Sequence, residues 1–78
     1  MTTEKKTILL KTNQTLRMFR DNEYIGSTRN FNESMEIDIE KYPHSEEFCI
    51  DYYSNGVALH IWCTRYEVVD DEVVENDN

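Results

Sequence analysis

The sequence predicts an all-β protein: a small antiparallel sheet or open barrel of about five to six strands, built from two hairpins. Its strongest signal is Asn55-Gly56 between two β-rich runs, because a type I′ turn needs positive φ at both central residues. Residues 34–40 alternate strictly between apolar and acidic side chains, which is typical of a strand with one solvated side. No segment has the spacing of apolar residues that is typical of an α-helix.

Residues 46–66 form the main predicted hairpin. A two-residue loop places Asp51 opposite His60 and Cys49 opposite Trp62, and the register continues to Glu47 opposite Thr64 and Glu46 opposite Arg65. Opposed residues share a face of the sheet. One face is apolar and predicts the core: Phe48, Ile50, Tyr52, Val57, Leu59, Ile61 and Cys63. The other carries Cys49, Asp51, Tyr53, Ala58, His60, Trp62, Thr64 and Tyr66.

Large aromatic side chains on this second face need a cover or a partner. The first hairpin of the chain could curl over them, a second copy could stack on them, or another protein could bind them. Trp and Tyr are enriched among the residues that dominate binding energy at interfaces. Trp62, Tyr53 and Tyr66 are therefore candidate anchors for a partner.

A second hairpin is predicted in residues 15–28, around the Asp21-Asn22 turn, since Asp and Asn tolerate left-handed backbone conformations. Leu16, Met18 and Ile25 then share one face, and Phe19 lies with Tyr24 on the other, as ordinary cross-strand packing or as a contact patch. The predicted pairs are Arg20–Glu23, Phe19–Tyr24, Met18–Ile25 and Leu16–Ser27.

Two further strands complete the expected fold. Residues 7–12 are apolar on both sides, which indicates a strand inside a sheet, after a frayed segment at residues 1–6. In residues 34–40, Met35, Ile37 and Ile39 face inward. The outward row is Glu36, Asp38 and Glu40.

The acids of this row repeat every ~6.6–6.8 Å along the strand. This pitch is close to the spacing of phosphates along a nucleic-acid strand, so the row could imitate such a backbone. The sequence favours a simpler interpretation, an edge strand whose charges prevent aggregation with other strands.

The length indicates one domain, residues 1–69, followed by a flexible acidic tail, residues 70–78. The chain has no apolar run long enough for a membrane span or a signal peptide. Two unpaired cysteines are typical of a reducing compartment, so we expect a cytoplasmic protein.

The alternation of side chains also bears on cysteine and metal chemistry. Cys49 and Cys63 are predicted on opposite faces, so no disulfide is expected between them. A zinc site would need these cysteines to converge with His44 and His60, and the alternation separates them. The sequence therefore predicts no metal site and no cofactor.

The formal net charge is −8 and is unevenly distributed. Residues 1–30 carry six basic and three acidic side chains, whereas residues 31–78 carry two basic and thirteen acidic ones. Most of the chain would repel phosphate, which disfavours direct binding of nucleic acid. An acidic surface favours basic protein partners, or it serves only solubility.

Asp51 opposite His60 is the one arrangement that resembles a catalytic pair. A carboxylate can orient an imidazole ring, but catalysis also needs a nucleophile in reach and groups that stabilise developing charge. Neither is evident, and no Gly-rich loop is present. We therefore expect a cross-strand charge pair and no enzymatic activity.

In size and composition the chain resembles small acidic proteins that phages encode to block host enzymes, including DNA mimics. The resemblance implies a non-enzymatic inhibitor in the host cytoplasm whose partner is a basic, nucleic-acid-processing protein. The candidate partner-binding residues are Tyr53, Trp62, Tyr66, Asp51, His60, Glu36, Asp38, Glu40, Glu46 and Glu47.

Two alternatives remain open. The chain could be a structural subunit whose aromatic face forms a homodimer or larger homo-oligomer, with the acids merely solvated. It could also bind nucleic acid directly through the basic side chains of its first half, which are Lys5, Lys6, Lys11, Arg17, Arg20 and Arg29.

Overall fold

The computed structural model describes residues 3–70, which form seven strands and no helix. The all-β prediction is confirmed, with seven strands in two sheets instead of five to six strands in one. The strands are β1 (Glu4–Leu10), β2 (Gln14–Arg20), β3 (Glu23–Asn30), β4 (Met35–Lys41), β5 (Phe48–Ser54), β6 (Val57–Cys63) and β7 (Arg65–Asp70).

Every paired neighbour in the two sheets is antiparallel. The first sheet has the strand order β1-β4-β5-β6, and the second sheet has the order β3-β2-β7. Within the described residues the chain changes sheet after β1, after β3 and after β6, and the last of these crossings is at Thr64, between β6 and β7. There the Thr64 backbone N–H donates to the carbonyl of Phe19 at 2.9 Å. The Asp21 backbone N–H in turn donates to the Thr64 hydroxyl at 2.7 Å.

The main hairpin is confirmed from its turn to Cys63. Asn55 and Gly56 have φ of 53° and 80°, as a type I′ turn requires. The predicted register holds from Ser54–Val57 through Phe48–Cys63. Its continuation to residues 46 and 47 is wrong, because the chain leaves the first sheet at Thr64 and Arg65 pairs with Phe19 of β2 instead.

The second hairpin is correct only near its turn. Arg20 pairs with Glu23 and Phe19 with Tyr24, and Asp21 has φ of 58°. Further along, Met18 pairs with Gly26 and Leu16 with Thr28, one residue away from the prediction. A β-bulge causes the shift, since it leaves Ile25 as an extra residue between Tyr24 and Gly26.

The positions of β1 and β4 also differ from expectation. β1 begins at Glu4, inside the segment expected to be frayed, and its described pairing is with β4 alone. It is thus an edge strand of the first sheet, and Leu9 is 57% exposed. β4 lies between β1 and β5, so the edge-strand interpretation of its acids is wrong.

The core lies between the inner faces of the two sheets. It confirms the inward prediction for Ile37 and Ile39 and for the apolar face of the main hairpin, except that Val57 beside the turn is 58% exposed. Tyr52 of the first sheet is 7% exposed in this core, and burial raises the pKa of its phenol. The buried cluster comprises Leu10, Leu16, Met18, Ile37, Ile39, Ile50, Tyr52 and Cys63.

The last strand includes the first residue of the predicted tail. Asp70 closes β7, and its carboxylate accepts a hydrogen bond from the Gln14 amide at 2.7 Å. The rest of the predicted tail, residues 71–78, lies outside the described residues. Within the described range, no helix has the length and hydropathy needed to cross a membrane.

Asn30 is a buried polar residue that ties the β3–β4 connection to the core. Its side-chain amide donates to the carbonyls of Leu10 at 2.8 Å and Glu33 at 2.7 Å. Its side-chain oxygen accepts from the backbone N–H of Asn32 at 3.0 Å. One side chain therefore satisfies three backbone groups of two segments.

We expect Asn30→Ala to lower the free energy of unfolding by about 2 kcal/mol, because it leaves buried carbonyls without a donor. Urea denaturation measures the difference. The matched control is Asn32→Ala, an exposed neighbour, which should change stability by less than about 0.5 kcal/mol. Equal effects of the two substitutions would contradict the assignment.

Candidate functional site

The outer face of the first sheet, which points away from the core, holds most of the predicted site residues. The strand register aligns its side chains in rows that cross all four strands. One row consists of Lys5, Glu40, Cys49 and Trp62. The adjacent row consists of Thr7, Asp38, Asp51 and His60. Leu9, Glu36, Tyr53 and Ala58 complete the outer face.

Carboxylates occupy the centre of this face. Asp38 of β4 lies directly opposite Asp51 of β5, and Glu40 follows in the next row. The side chains of Glu40 and Asp51 are only 23% and 21% exposed. Like charges placed directly opposite each other in a sheet are destabilising. Asp38 and Asp51 therefore repel each other, and the stability of the fold does not require this pair of like charges.

Neighbouring donors from β1 partly compensate these carboxylates. The Thr7 hydroxyl donates to Asp38 at 2.6 Å, and the Lys5 ammonium lies 3.9 Å from Glu40. Lys5 is exposed, and the wide separation in its ion pair gives little stabilisation. The centre of the outer face therefore stays acidic.

Tyr42 covers Trp62. The two rings meet edge to face, 5.6 Å apart at an angle of 79°. The Tyr42 hydroxyl also donates to Glu40 at 3.3 Å, and the negative charge of Glu40 raises the pKa of that phenol. Because Glu40 and Trp62 lie on the strands that flank β5, Tyr42 reaches across the position of Cys49.

Cys49 is correspondingly shielded, with 5% exposure. Burial raises the pKa of its thiol to about 12, and the hydrogen bond that it donates to Asp51 at 3.3 Å acts in the same direction. The thiol is therefore neutral at physiological pH and a poor nucleophile. Both Cys49 and Cys63 are free, which confirms that no disulfide joins them.

The Asp51–His60 pair forms as predicted. The carboxylate of Asp51 is hydrogen-bonded to the His60 ring nitrogen Nδ1, and the ring is 63% exposed. Together with the Cys49 sulfur, these two residues bring three metal-ligating atoms within 4.8 Å of one another. The sequence-based prediction of no metal site rests on cysteines and histidines alone, whereas the structure adds the Asp51 carboxylate to this group.

The remaining predicted site residues divide between the outer face and other regions. Tyr53 lies on the outer face and is 71% exposed, and Glu36 is also exposed there. Glu46 is exposed in the segment before β5. Glu47, in the same segment, forms an ion pair with Arg20 at 3.1 Å.

Tyr66 does not join Trp62, and the expectation that both share a face is wrong. Tyr66 belongs to β7 of the second sheet, where it packs against the core. Its ring meets that of Phe48 edge to face at 5.5 Å. The cause is the change of sheet at Thr64, which interrupts the alternation on which the prediction depended.

The basic side chains of the first half do not form one groove. Lys5 belongs to β1, whereas Arg17 and Arg20 belong to β2 in the other sheet. Arg17 forms an ion pair with Glu67 at 3.3 Å and lies 5.5 Å from the centres of the Phe19 and Tyr24 rings. Much of the basic charge is therefore neutralised or dispersed.

Sequence reasoning missed Tyr42, Lys5 and Thr7 as parts of the site. Tyr42 carried a usable signal, since it follows Glu40 by two residues and so continues the outward alternation of β4. Lys5 and Thr7 reach the site only because β1 pairs with β4. The pairing depends on the order of the strands in the sheet, which the local sequence pattern does not specify.

Comparison of the chain with protein-family models, with curated proteins and with solved structures finds no match.

The cover over Cys49 can be tested by alkylation. We expect Tyr42→Ala to accelerate reaction of Cys49 with iodoacetamide at pH 8, because exposure to water lowers the thiol pKa. The thiolate fraction rises about tenfold for each unit of that decrease. Peptide mass spectrometry resolves Cys49 from Cys63, which should stay slow. The control is Tyr53→Ala on the same face, and an equal acceleration there would contradict the assignment.

Proposed function

We propose that this chain is a non-enzymatic binding protein whose outer face occupies a basic, nucleic-acid-binding surface of another protein. The observation that supports this most directly is the opposed pair Asp38–Asp51 at the centre of the first sheet. Protection of a sheet edge does not explain these acids, because β4 and β5 are both interior strands. A charge arrangement that opposes stability is expected where function requires it.

The spacing of the acids supports the same proposal. Along β4, Glu36, Asp38 and Glu40 recur at about 6.6–6.8 Å, and neighbouring strands lie about 4.8 Å apart. Asp51 adds a second row to this array. Such a lattice of fixed negative charge can pair with Lys and Arg side chains that otherwise contact phosphates.

Aromatic side chains frame the acidic centre. Tyr53 is exposed on the outer face, and the packed pair Tyr42–Trp62 borders the row of Glu40. Packing between Tyr42 and Trp62 limits the side-chain entropy that binding would cost. These rings can receive the aliphatic stems and cationic heads of a basic partner.

The two alternative functions receive less support. Stacking two copies through their outer faces would oppose the central carboxylates of one copy to those of the other, and Trp62 already packs on Tyr42. Direct binding of nucleic acid would need a continuous basic surface, whereas Arg17 and Arg20 form ion pairs with glutamates. A cytoplasmic, phage-type inhibitor remains part of the proposal.

The test is affinity capture from a bacterial lysate on the immobilised full chain at low salt, with elution by high salt or by competing DNA. We expect recovery of a DNA- or RNA-binding protein, released by both treatments, because the contacts are charge pairs that salt screens. The purified captured protein should lose its nucleic-acid binding when this chain is added.

Matched variants distinguish site charge from net charge. Glu36→Gln with Asp38→Asn removes two charges from the outer face, whereas Glu23→Gln with Glu33→Gln removes two exposed charges elsewhere. We expect the first pair to abolish most of the capture and the second to preserve it. Equal capture by both, or capture that high salt leaves unchanged, would refute the proposal.

The charge repulsion makes a separate prediction about stability. Asp38→Asn keeps an acceptor for the Thr7 hydroxyl while removing the charge opposite Asp51. We expect the free energy of unfolding to rise by about 0.5 kcal/mol while affinity for the partner falls. Urea denaturation at low ionic strength measures the former. A loss of stability would show that Asp38 serves the fold.

A further inference from the structure

The geometry points to a Zn²⁺ site on the outer face, formed by the Cys49 sulfur, an Asp51 carboxylate oxygen and a His60 ring nitrogen. Cys49 and Asp51 are two residues apart on β5, and His60 lies directly opposite Asp51 on β6. Two alternate residues of one strand and the residue opposite them project to the same side of the sheet. Backbone pairing on both strands thus positions all three donors.

The distances suit zinc with small side-chain movements. The three ligating atoms lie within 4.8 Å of one another, and the Cys49 sulfur lies 3.3 Å from Asp51 Oδ1. Bonds of about 2.0–2.3 Å in a tetrahedral site separate neighbouring ligand atoms by about 3.3–3.6 Å. The His60 side chain is 63% exposed, so its ring can adjust without repacking the core.

The chemistry of the donors selects the metal. One sulfur, one imidazole nitrogen and one carboxylate oxygen form a set that suits Zn²⁺ and disfavours Mg²⁺ and Ca²⁺, which prefer oxygen ligands alone. Three protein ligands leave a fourth position for water. On binding, the metal replaces the thiol proton: the S–H bond breaks, the proton passes to solvent and a Zn–S bond forms.

The surrounding charge favours a cation at this place. Asp38 lies opposite Asp51, and Glu40 lies opposite Cys49 on β4. The Lys5 ammonium contacts Glu40 at 3.9 Å from β1, on the side of β4 away from Cys49. The carboxylates of Asp38, Glu40 and Asp51 therefore favour a dication beside Cys49.

Calorimetric titration of the full chain with Zn²⁺, in buffer containing excess Mg²⁺ to occupy simple carboxylate sites, tests the proposal. We expect one Zn²⁺ per chain. Cys49→Ser, Asp51→Asn and His60→Gln should each weaken the affinity at least about tenfold. His44→Gln is the matched control, because His44 is the other histidine and is exposed in the loop before β5. It should leave the affinity unchanged.

Cobalt substitution supplies a readout specific to the sulfur ligand. Co²⁺ should produce a thiolate-to-metal charge-transfer band that Cys49→Ser removes and His44→Gln retains. His60→Gln alters an exposed side chain and keeps the test decisive should Cys49→Ser fold poorly. No zinc uptake, uptake that His60→Gln leaves unchanged, or cobalt binding without the sulfur band would each overturn the proposal.

Discussion

The corner at Thr64 is the constraint on which the rest of the structure depends. Its backbone N–H is bonded to Phe19, and its hydroxyl accepts from the Asp21 backbone, so the corner is fixed to the turn end of β2. Because β6 precedes the corner and β7 follows it, this segment joins the two sheets, as the connections after β1 and β3 also do. Apolar side chains such as Leu16 and Ile50 can then be buried between the sheets without a helix.

The same corner separates side chains that a straight strand would place together. Trp62 remains on the outer face, whereas Tyr66 turns toward the core against Phe48. Arg65 lies over the Phe19 ring, 4.0 Å from its centre, which helps to bury a ring that β2 directs away from the core. The corner thus helps to cover aromatic residues of the second sheet and leaves the acidic outer face of the first sheet exposed.

The sequence predicts what is local and misses what depends on the sheets as a whole. Asn55-Gly56 and Asp21 set their turns by backbone preference, so both hairpins and their first pairs are correct. The bulge at Ile25 and the corner at Thr64 each interrupt the two-residue alternation on which the predicted registers depended. For the site, alternation alone placed Asp51 and Glu40 outward. The contact of Tyr42 with Trp62 needed the order β4-β5-β6.

The two proposals share Asp51, and thermodynamic linkage therefore couples them. A dication bound by Cys49, Asp51 and His60 displaces the thiol proton, so it would cancel one net negative charge of those that attract Lys and Arg side chains to the outer face. The affinity of the basic partner should then fall when zinc is bound, and zinc affinity should fall by the same factor when the partner is bound. Linkage makes the two effects equal, and charge makes the coupling unfavourable, since both ligands are cationic and bind the same acidic face. If the partner instead supplied the fourth ligand of the zinc ion, each ligand would raise the affinity of the other. The direction of the coupling therefore distinguishes competition between the two ligands from a shared site.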